Sequence, residues 1–178
     1  QIGVGYWGPN LLRNLVSNSN INLTTVVDLS EERRHFVESH YPSVQTTDNV
    51  DDILNNPDIE AVVRSTPVET HYNLAIKALN AGKHILVEKP MATTSDEVNA
   101  IHTLATEKNL VAMVGHTFLF NNTVRTIKKL IDDGELGEIR YIYSQRVNLG
   151  RIRSDVDALW NLAPHDISII QYWLDEPN

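Results

Sequence analysis

Short apolar runs alternate with helical patterns along the chain as far as Gly115. The apolar runs have the length and composition of strands: Leu23–Val27, Val44–Thr46, Ala61–Ser65, His84–Val87 and Leu110–Gly115. The helical patterns, with their capping residues, lie between them: Pro9–Ser17, Ser30–His40, Asp48–Asn55, Glu69–Asn80 and Thr94–Lys108. Strands that alternate with helices over short connections predict βαβ units and an open, doubly wound parallel sheet.

The pattern changes after residue 119. A helix is predicted over Asn122–Asp133, and Glu138–Asn148 alternates polar and apolar residues like a strand with one wet face. A final helix is predicted from about Pro164 to Leu174. Because one strand cannot form a sheet, residues 120–178 are predicted to be the incomplete start of an α+β domain with an open, mostly antiparallel sheet. Residues 1–119 are predicted to form the first domain.

Composition narrows the class of protein. The net charge of −8 argues against a nucleic-acid or membrane partner, because no basic face dominates. The chain contains no cysteine, which excludes disulfides and thiolate metal sites and suits a cytoplasmic location. The seven histidines have no metal-binding spacing, so no metal site is expected.

A glycine-rich turn opens the first helix. Gly3-Val4-Gly5-Tyr6-Trp7-Gly8 fits the pattern G-x-G-x-x-G, in which the glycines allow a tight turn, approach of a pyrophosphate and close helix packing. Asp28 ends the next strand, where a carboxylate binds the ribose hydroxyls of a dinucleotide. Together they predict a Rossmann dinucleotide-binding domain. Only Gln1 and Ile2 precede Gly3, so the first strand is expected to begin before this sequence.

Three details near this turn leave alternatives open. Asp28 would repel a 2′-phosphate and so favours NAD over NADP, but Arg33 and Arg34 could restore NADP binding unless they lie on a solvated helix face. Tyr6 and Trp7 could wall the nicotinamide side of the site or pack against neighbouring loops. His116 could line the cofactor pocket or pack at the domain junction.

A second group of candidate residues follows two later strands. One strand ends in Ser65-Thr66-Pro67 and the next in Glu88-Lys89-Pro90. Ligands of a doubly wound sheet bind beyond the carboxyl ends of its strands, so both groups are expected on the same edge as the glycine turn. There, Lys89 could direct its ammonium at a substrate oxygen beside the nicotinamide.

These residues resemble the Gfo/Idh/MocA oxidoreductases. The resemblance rests on Gly3–Gly8, on Ser65-Thr66-Pro67 followed by His71, and above all on Glu88-Lys89-Pro90. It implies an NAD(P)-dependent enzyme that acts on sugars, polyols or sugar nucleotides. The runs GVGYWGPNLLRN and ALWNLAPHDISI are similar to the branch of sugar dehydrogenases that includes UDP-N-acetylglucosamine 3-dehydrogenase-like proteins.

The resemblance also implies roles for individual residues. Lys89 would bond the reacting hydroxyl and His165 would be the acid–base group, while Asn161 stands where an aspartate is common in the family. An asparagine can bond a hydroxyl but cannot accept a proton. The residues expected to bind the cofactor are Gly3, Gly5, Tyr6, Trp7, Gly8, Asp28, Ser65, Thr66, Pro67, His71, Glu88, Lys89 and Pro90. A homo-oligomer, a dimer or tetramer of the full-length protein, is also expected.

Further residues are candidates for substrate contact. Arg146, Asn148 and Arg151 could reach an anionic group such as a diphosphate or a uronate, or could be ordinary surface polarity. Trp160 could shape a sugar pocket or belong to a core.

Two functions follow from these observations. The first is a dehydrogenase that transfers hydride between a secondary alcohol of a sugar or sugar nucleotide and NAD(P). The second is a catalytically silent NAD- or sugar-sensing module of the same fold. Asn161, which stands where the family commonly has an aspartate, is the feature that supports this alternative. Turnover on a panel of sugar nucleotides and polyols distinguishes the two.

Overall fold

A computed structural model of the chain describes residues 1–147 and 157–175. The chain divides into two compact units, Gln1–Gly115 and His116–Asn178. The predicted boundary, after residue 119, falls inside the second unit. Each unit is described separately below.

The first unit contains a parallel sheet. Its strands are β1 (Thr25–Val27), β2 (Gln45–Thr47), β3 (Ala61–Arg64), β4 (His84–Val87) and β5 (Ala112–Val114). β1 pairs with β2, and β3, β4 and β5 pair in that order, always in parallel. Ile2 joins the two groups through parallel bridges to Val27 and Arg64. The order of the strands therefore reverses on either side of Ile2, which confirms the predicted doubly wound Rossmann topology.

Five helices connect these strands: α1 (Gly8–Ser17), α2 (Glu31–His40), α3 (Asp51–Leu54), α4 (His71–Asn80) and α5 (Ser95–Glu107). The predicted caps are present, because the Ser30 hydroxyl accepts a bond from the Arg33 amide and the Thr94 hydroxyl accepts one from the Glu97 amide at 3.2 Å. In an ordinary capping box the Glu97 carboxylate would accept a bond from the Thr94 amide. Here it accepts one from the amide of the preceding residue, Thr93, at 2.9 Å.

The helices bury apolar side chains on both faces of the sheet. One cluster joins β3 and β4 to α4 and α5 and includes Val62, Val87, Leu79 and Ile101. The other joins β1 to α1 and α2 and includes Val26, Leu12 and Val37. Because both faces are covered, β1, β3 and β4 are mostly apolar, as expected for a parallel sheet, whereas the outer strand β2 is polar. This packing leaves the strand ends as the places where polar side chains can gather.

Several predicted elements differ at their ends. The helix expected over Asp48–Asn55 is only one turn, and the one expected from Glu69 begins as a 3₁₀ turn, Val68–Thr70, before α4. The strand expected over Leu110–Gly115 is shortened to β5. Pro67 directly precedes the 3₁₀ turn at Val68–Thr70, and such turns are frequent where an α-helix begins.

The second unit contains a 3₁₀ turn at Thr117–Phe120 and the helices α6 (Asn122–Asp132) and α7 (Ala158–Leu174). Helix α7 begins earlier than the predicted Pro164, because the Asp157 carboxylate caps it by accepting a bond from the Trp160 amide at 2.9 Å. The indole of Trp173 on α7 donates a bond to the Val124 carbonyl of α6 at 2.9 Å, which joins the two helices.

The strand predicted over Glu138–Asn148 is not formed by residues 138–147, and Asn148 lies outside the described residues. A strand is stable only when a neighbouring strand pairs with it, and no described segment of this unit pairs with it. Tyr141 and Tyr143 are exposed along this extended segment. The open, mostly antiparallel sheet of the second domain therefore remains a prediction. Across both described ranges, none of the helices is long and apolar enough to cross a membrane.

Arg64 is an unusual member of the first unit's core. Its side chain is completely buried, and none of its three guanidinium nitrogens has a hydrogen-bond partner among the described residues. Burial lowers the pKa of Arg64 to about 10, so the guanidinium remains charged at neutral pH. Burying a cation removes its favourable hydration free energy, and without hydrogen-bond acceptors little of this loss is compensated.

We expect Arg64→Met to stabilise the protein. A methionine of similar length avoids the desolvation cost, and replacing a buried charge by a packed apolar chain is worth up to about 1–4 kcal/mol. Urea unfolding of the variant, followed by circular dichroism, measures this gain. Arg13→Met, on the exposed face of α1, is the matched control and should change the unfolding free energy by less than about 0.5 kcal/mol. A loss of stability in Arg64→Met would contradict the expectation.

Candidate functional site

The glycine turn is packed directly against the end of β3. Gly3 has a φ of +86°, and a Cβ atom there would lie 2.7 Å from the Ser65 carbonyl oxygen. A Cβ on Gly8 would lie 2.7 Å from the Gly3 oxygen and 3.0 Å from the Ser65 hydroxyl. The same hydroxyl donates a 2.9 Å bond to the Gly3 carbonyl. The first and third glycines are therefore required by the protein's own packing.

Gly5 has a different environment. A Cβ atom built on this residue would meet no other atom within 4 Å. The space beside Gly5 therefore lies open in front of the turn, at the start of α1. A pyrophosphate needs this close approach to the backbone and to the amides of a helix N-terminus.

Asp28 is fixed by the backbone on both sides. One carboxylate oxygen accepts a bond from the Val4 amide at 2.7 Å, and the other accepts one from the Ser30 amide at 2.9 Å. A carboxylate has about four lone-pair positions, so each oxygen retains capacity for a ribose hydroxyl. The bond to Val4 also places Asp28 next to the glycine turn.

The two arginines that follow Asp28 differ in position. The Arg34 guanidinium donates bonds to the carbonyls of Asp28 at 2.8 Å and Leu29 at 3.1 Å. Arg33 is exposed on α2. One guanidinium nitrogen of Arg34 is therefore engaged with the backbone beside Asp28.

The two later strand ends are joined by His71, the first residue of α4. Its Nδ1 lies 2.7 Å from the Pro90 carbonyl oxygen, and its Nε2 lies 2.9 Å from the Thr66 carbonyl oxygen. The imidazole is only 1% exposed. The sequence predicts that His71 binds the cofactor, and the structure places its ring beneath the loops after β3 and β4, in contact with a carbonyl of each.

Glu88 occupies the junction between the glycine turn and the end of β4. Burial raises the pKa of this carboxyl, while the Lys89 amide, the Lys89 charge and a bond from the Trp7 indole act in the opposite direction. Gly115 leaves room for the Glu88 carboxyl group. A Cβ atom at this position would lie 3.3 Å from that group, which is a close contact. Lys89 follows directly and is half-buried at the strand end.

Two aromatic residues lie in the glycine turn. Trp7 is 47% exposed, and its indole lies close enough to the Glu88 carboxyl to favour the charged form of that group. Tyr6 is 80% exposed and does not pack against neighbouring loops.

His165 lies in an aromatic and charged cluster in the second unit. The Phe118 ring packs against its imidazole with 4.7 Å between centroids, and the Arg146 guanidinium lies 4.8 Å from the centroid of the same phenyl ring. Arg146 also forms a bidentate ion pair with Asp166, at 2.9 and 3.0 Å. The bonds from Arg146 lower the pKa of Asp166. Arg146 is thus held in a fixed position beside the helix that carries His165.

The remaining predicted residues of this unit lie on α7 or outside the described residues. Asn161 and His165 are one helical turn apart and therefore on the same side of α7. Trp160 is 47% exposed, which excludes a purely internal role within this chain. Asn148 and Arg151 lie outside the described residues.

His116 is partly buried, and its Nδ1 has no hydrogen-bond partner among residues 1–147 and 157–175. Burial lowers its pKa, which favours the neutral ring. In the same part of the chain, no three histidine or acidic side chains are grouped so that they could hold a metal ion.

The sequence did not reveal every residue of the site. Phe118, Asp166 and Gly115 were not predicted, because their roles depend on neighbours that are distant in the sequence. Gly115 offered one usable signal, since a glycine directly after a strand often marks a close approach.

The glycines provide a test of dinucleotide binding that separates packing from ligand contact. We expect Gly8→Ala to destabilise the protein by about 1–3 kcal/mol through overpacking and to weaken NADH binding. Gly5→Ala should keep the stability within about 1 kcal/mol and still weaken NADH binding at least about tenfold, because the methyl group obstructs the pyrophosphate. Thermal unfolding and fluorescence titration with NADH measure the two effects. Undiminished NADH binding by Gly5→Ala would contradict the assignment.

The chain was compared with known proteins. Residues 2–116 match the Gfo/Idh/MocA oxidoreductase family with an NAD-binding Rossmann fold. The scyllo-inositol 2-dehydrogenase (NADP(+)) IolW of Bacillus subtilis is 34% identical over 128 residues, which cover 72% of this chain and 35% of that protein.

Two further relatives extend the comparison. The 1-carboxy-3-chloro-3,4-dihydroxycyclohexa-1,5-diene dehydrogenase of Comamonas testosteroni is 31% identical over 96% of this chain and 45% of its own length. The crystal structure of myo-inositol 2-dehydrogenase from Lactobacillus plantarum has a TM-score of 0.73 and 25% identity, and the match covers 78% of this chain and 41% of that one. This chain thus spans less than half of each of these proteins.

The family match includes the glycine turn, Asp28 and both strand-end loops, which are the residues that the fold brings to one edge of the sheet. The chain belongs to the Gfo/Idh/MocA family of oxidoreductases with an NAD-binding Rossmann fold.

Proposed function

We propose that the protein is an NAD-dependent dehydrogenase that oxidises a secondary alcohol of a sugar, a polyol or a sugar nucleotide. The observation that carries this proposal is the convergence of the glycine turn, Asp28 and Lys89 at the carboxyl edge of one parallel sheet. A dinucleotide that lies along this edge has its phosphates at α1 and its adenosine ribose at Asp28. Its other end then extends toward the end of β4.

The bound nicotinamide supplies the hydride chemistry. The protein's part is to hold the alcohol and to manage its proton. Lys89 donates a hydrogen bond to the reacting oxygen, and its positive charge stabilises the alkoxide character that develops as the C–H bond breaks. Glu88 and Trp7 support this strand end from the side of the glycine turn.

His165 is the proposed acid–base group. An imidazole titrates close to neutral pH and can accept the alcohol proton in one direction and return it in the other. Phe118 packs against the imidazole with an angle of 57° between the two rings, and the Arg146 guanidinium, which is paired with Asp166, lies over the Phe118 ring. Asn161, one turn before His165, bonds a substrate hydroxyl without taking part in proton transfer.

The substrate class follows from the relatives and from the second unit. Relatives named as inositol dehydrogenases act on cyclic polyols, and the proposed reaction is the same oxidation of a ring carbinol. For a sugar nucleotide, the groups proposed to contact the substrate are Asn161, Trp160, Arg146 and Asn148. Arg146 is already paired with Asp166 through two of its five N–H groups, so its proposed contact with the substrate uses the remaining N–H groups.

The cofactor is proposed to be NAD, because the Asp28 carboxylate at the ribose position repels a 2′-phosphate. The engagement of Arg34 with the carbonyls of Asp28 and Leu29 supports this preference. We further propose a cytoplasmic homo-oligomer, with a small molecule as substrate and no nucleic-acid or membrane partner.

We expect Lys89→Met in the full-length protein to lower kcat by about 10²- to 10⁴-fold, because the alcohol loses both its hydrogen bond and the nearby charge. NADH binding should change by less than about threefold. Initial rates with NAD and a panel of inositols, aldoses and UDP-sugars, together with NADH titration, measure both. Lys108→Met is the control. Lys108 is exposed at the C-terminal end of α5, so this change should leave kcat unchanged.

A rate for Lys89→Met equal to that of the wild type would exclude Lys89 from the chemistry. Binding of NADH without oxidation of any member of the panel by the wild type would favour the sensing module, for which Asn161 is the supporting observation.

We expect Asp28→Asn to shift the cofactor preference. The amide keeps one oxygen acceptor near Val4 but loses the charge that repels a 2′-phosphate. The ratio of kcat/KM with NAD to that with NADP should fall about tenfold, which is about 1.4 kcal/mol. Arg33→Gln on the exposed face of α2 is the comparison variant. An unchanged ratio in Asp28→Asn would show that Asp28 does not select the cofactor.

A further inference from the structure

Both loops at the carboxyl ends of β3 and β4 are held by one buried side chain. The His71 ring lies between the Thr66 carbonyl, at 2.9 Å from Nε2, and the Pro90 carbonyl, at 2.7 Å from Nδ1. Thr66 belongs to the loop that packs against Gly3, and Pro90 is the residue after Lys89. The contacts therefore connect the cofactor turn to the segment that carries the proposed catalytic lysine.

The ring has little freedom to move. It is 1% exposed and belongs to the first turn of α4. The loop on the Thr66 side is itself fixed, since the hydroxyls of Thr66 and Thr70 lie 2.7 Å apart and the Thr70 hydroxyl donates to the Pro67 carbonyl at 2.7 Å. A displacement of the Pro90 backbone would thus have to break a bond to a side chain whose own position is fixed.

The charges around the ring determine its protonation. Burial and the buried guanidinium of Arg64 lower the pKa of His71, while Glu69 and the two carbonyls act in the opposite direction. The neutral ring carries one N–H and donates to one carbonyl at a time. A protonated ring donates to both, so acidification does not release the loops.

We propose that His71 is a positioning residue for Lys89: its ring fills the space between the Thr66 and Pro90 carbonyls and donates a hydrogen bond to one of them, which fixes the backbone that carries the lysine. His71 itself contacts neither cofactor nor substrate. The inference rests on the proposed function in which Lys89 holds the reacting oxygen. A misplacement of about 1 Å at such a group is enough to cost about 10²-fold in rate.

The test compares His71→Phe, His71→Gln and His84→Phe in the full-length protein. Phenylalanine keeps a ring but has no N–H, and glutamine restores N–H groups that can donate to a carbonyl oxygen. His84 is a matched control, because its Nδ1 also bonds a backbone group, the Val111 amide at 2.9 Å, but it lies at the opposite end of β4.

We expect kcat to fall at least about tenfold in His71→Phe while KM for NAD changes less than about threefold, because the cofactor turn is intact. His71→Gln should restore kcat to within about threefold of the wild type, and His84→Phe should keep the wild-type kcat even where its melting temperature falls. A wild-type kcat in folded His71→Phe, or an equal loss in His84→Phe, would overturn the proposal. If His71→Phe does not fold, His71→Asn decides: its shorter amide cannot reach both carbonyls, and a wild-type kcat would overturn the proposal.

A second readout does not require turnover. Reductive ¹³C-methylation gives each lysine a dimethylamino resonance, and the Lys89 resonance is assigned by its absence in Lys89→Met. We expect this resonance to shift or broaden in His71→Phe and to stay in place in His84→Phe. An unchanged resonance would overturn the positioning role. If the wild type oxidises no substrate but the resonance responds as expected, the proposed function fails while the connection between His71 and Lys89 stands.

Discussion

The close packing of the glycine turn against Ser65 is the constraint on which the site depends. A Cβ on either Gly3 or Gly8 would come within 2.7 Å of a backbone oxygen, so only glycine allows the turn to meet the end of β3. Ser65 completes the contact through its hydroxyl bond to Gly3. The open space at Gly5 and the bond from Val4 to Asp28 follow from this arrangement, because both belong to the same turn.

Further contacts between side chains continue from the glycine turn along the same edge of the sheet. The Trp7 indole lies beside the Glu88 carboxyl, Glu88 fits against Gly115, and the His71 ring lies between the loops after β3 and β4. Each member is a polar group at least partly removed from water, and each contact joins segments that are far apart in the sequence. Lys89 is therefore supported through its neighbours on both sides. The proposed role of Lys89 in hydride transfer requires such support, because the rate depends on the exact position of the group that holds the reacting oxygen.

The sequence predicted the first unit well because its signals are local. Alternating strands and helices, G-x-G-x-x-G and an aspartate at the next strand end require no knowledge of distant contacts, and the Ser30 and Thr94 caps were found in the same way. The roles of His71, Arg64 and Phe118 could not be read from the sequence, because each depends on partners brought together only by folding. The predicted strand over Glu138–Asn148 was not formed by residues 138–147, since alternation indicates which residues suit a strand but does not supply the strand that pairs with it.

The proposed dehydrogenase holds a dinucleotide at this edge of the sheet and transfers hydride to it from a ring carbinol. Isotope transfer tests this directly: the full-length protein is incubated with NAD and with inositols, sugars or UDP-sugars that carry deuterium on their carbinol carbons, and the reduced cofactor is analysed by mass spectrometry. We expect NADH that is one deuterium heavier with at least one of these substrates, and a slower rate for the labelled substrate where hydride transfer limits turnover. Reduced cofactor without deuterium, or NAD binding with no reduction by any member of the series, would contradict it.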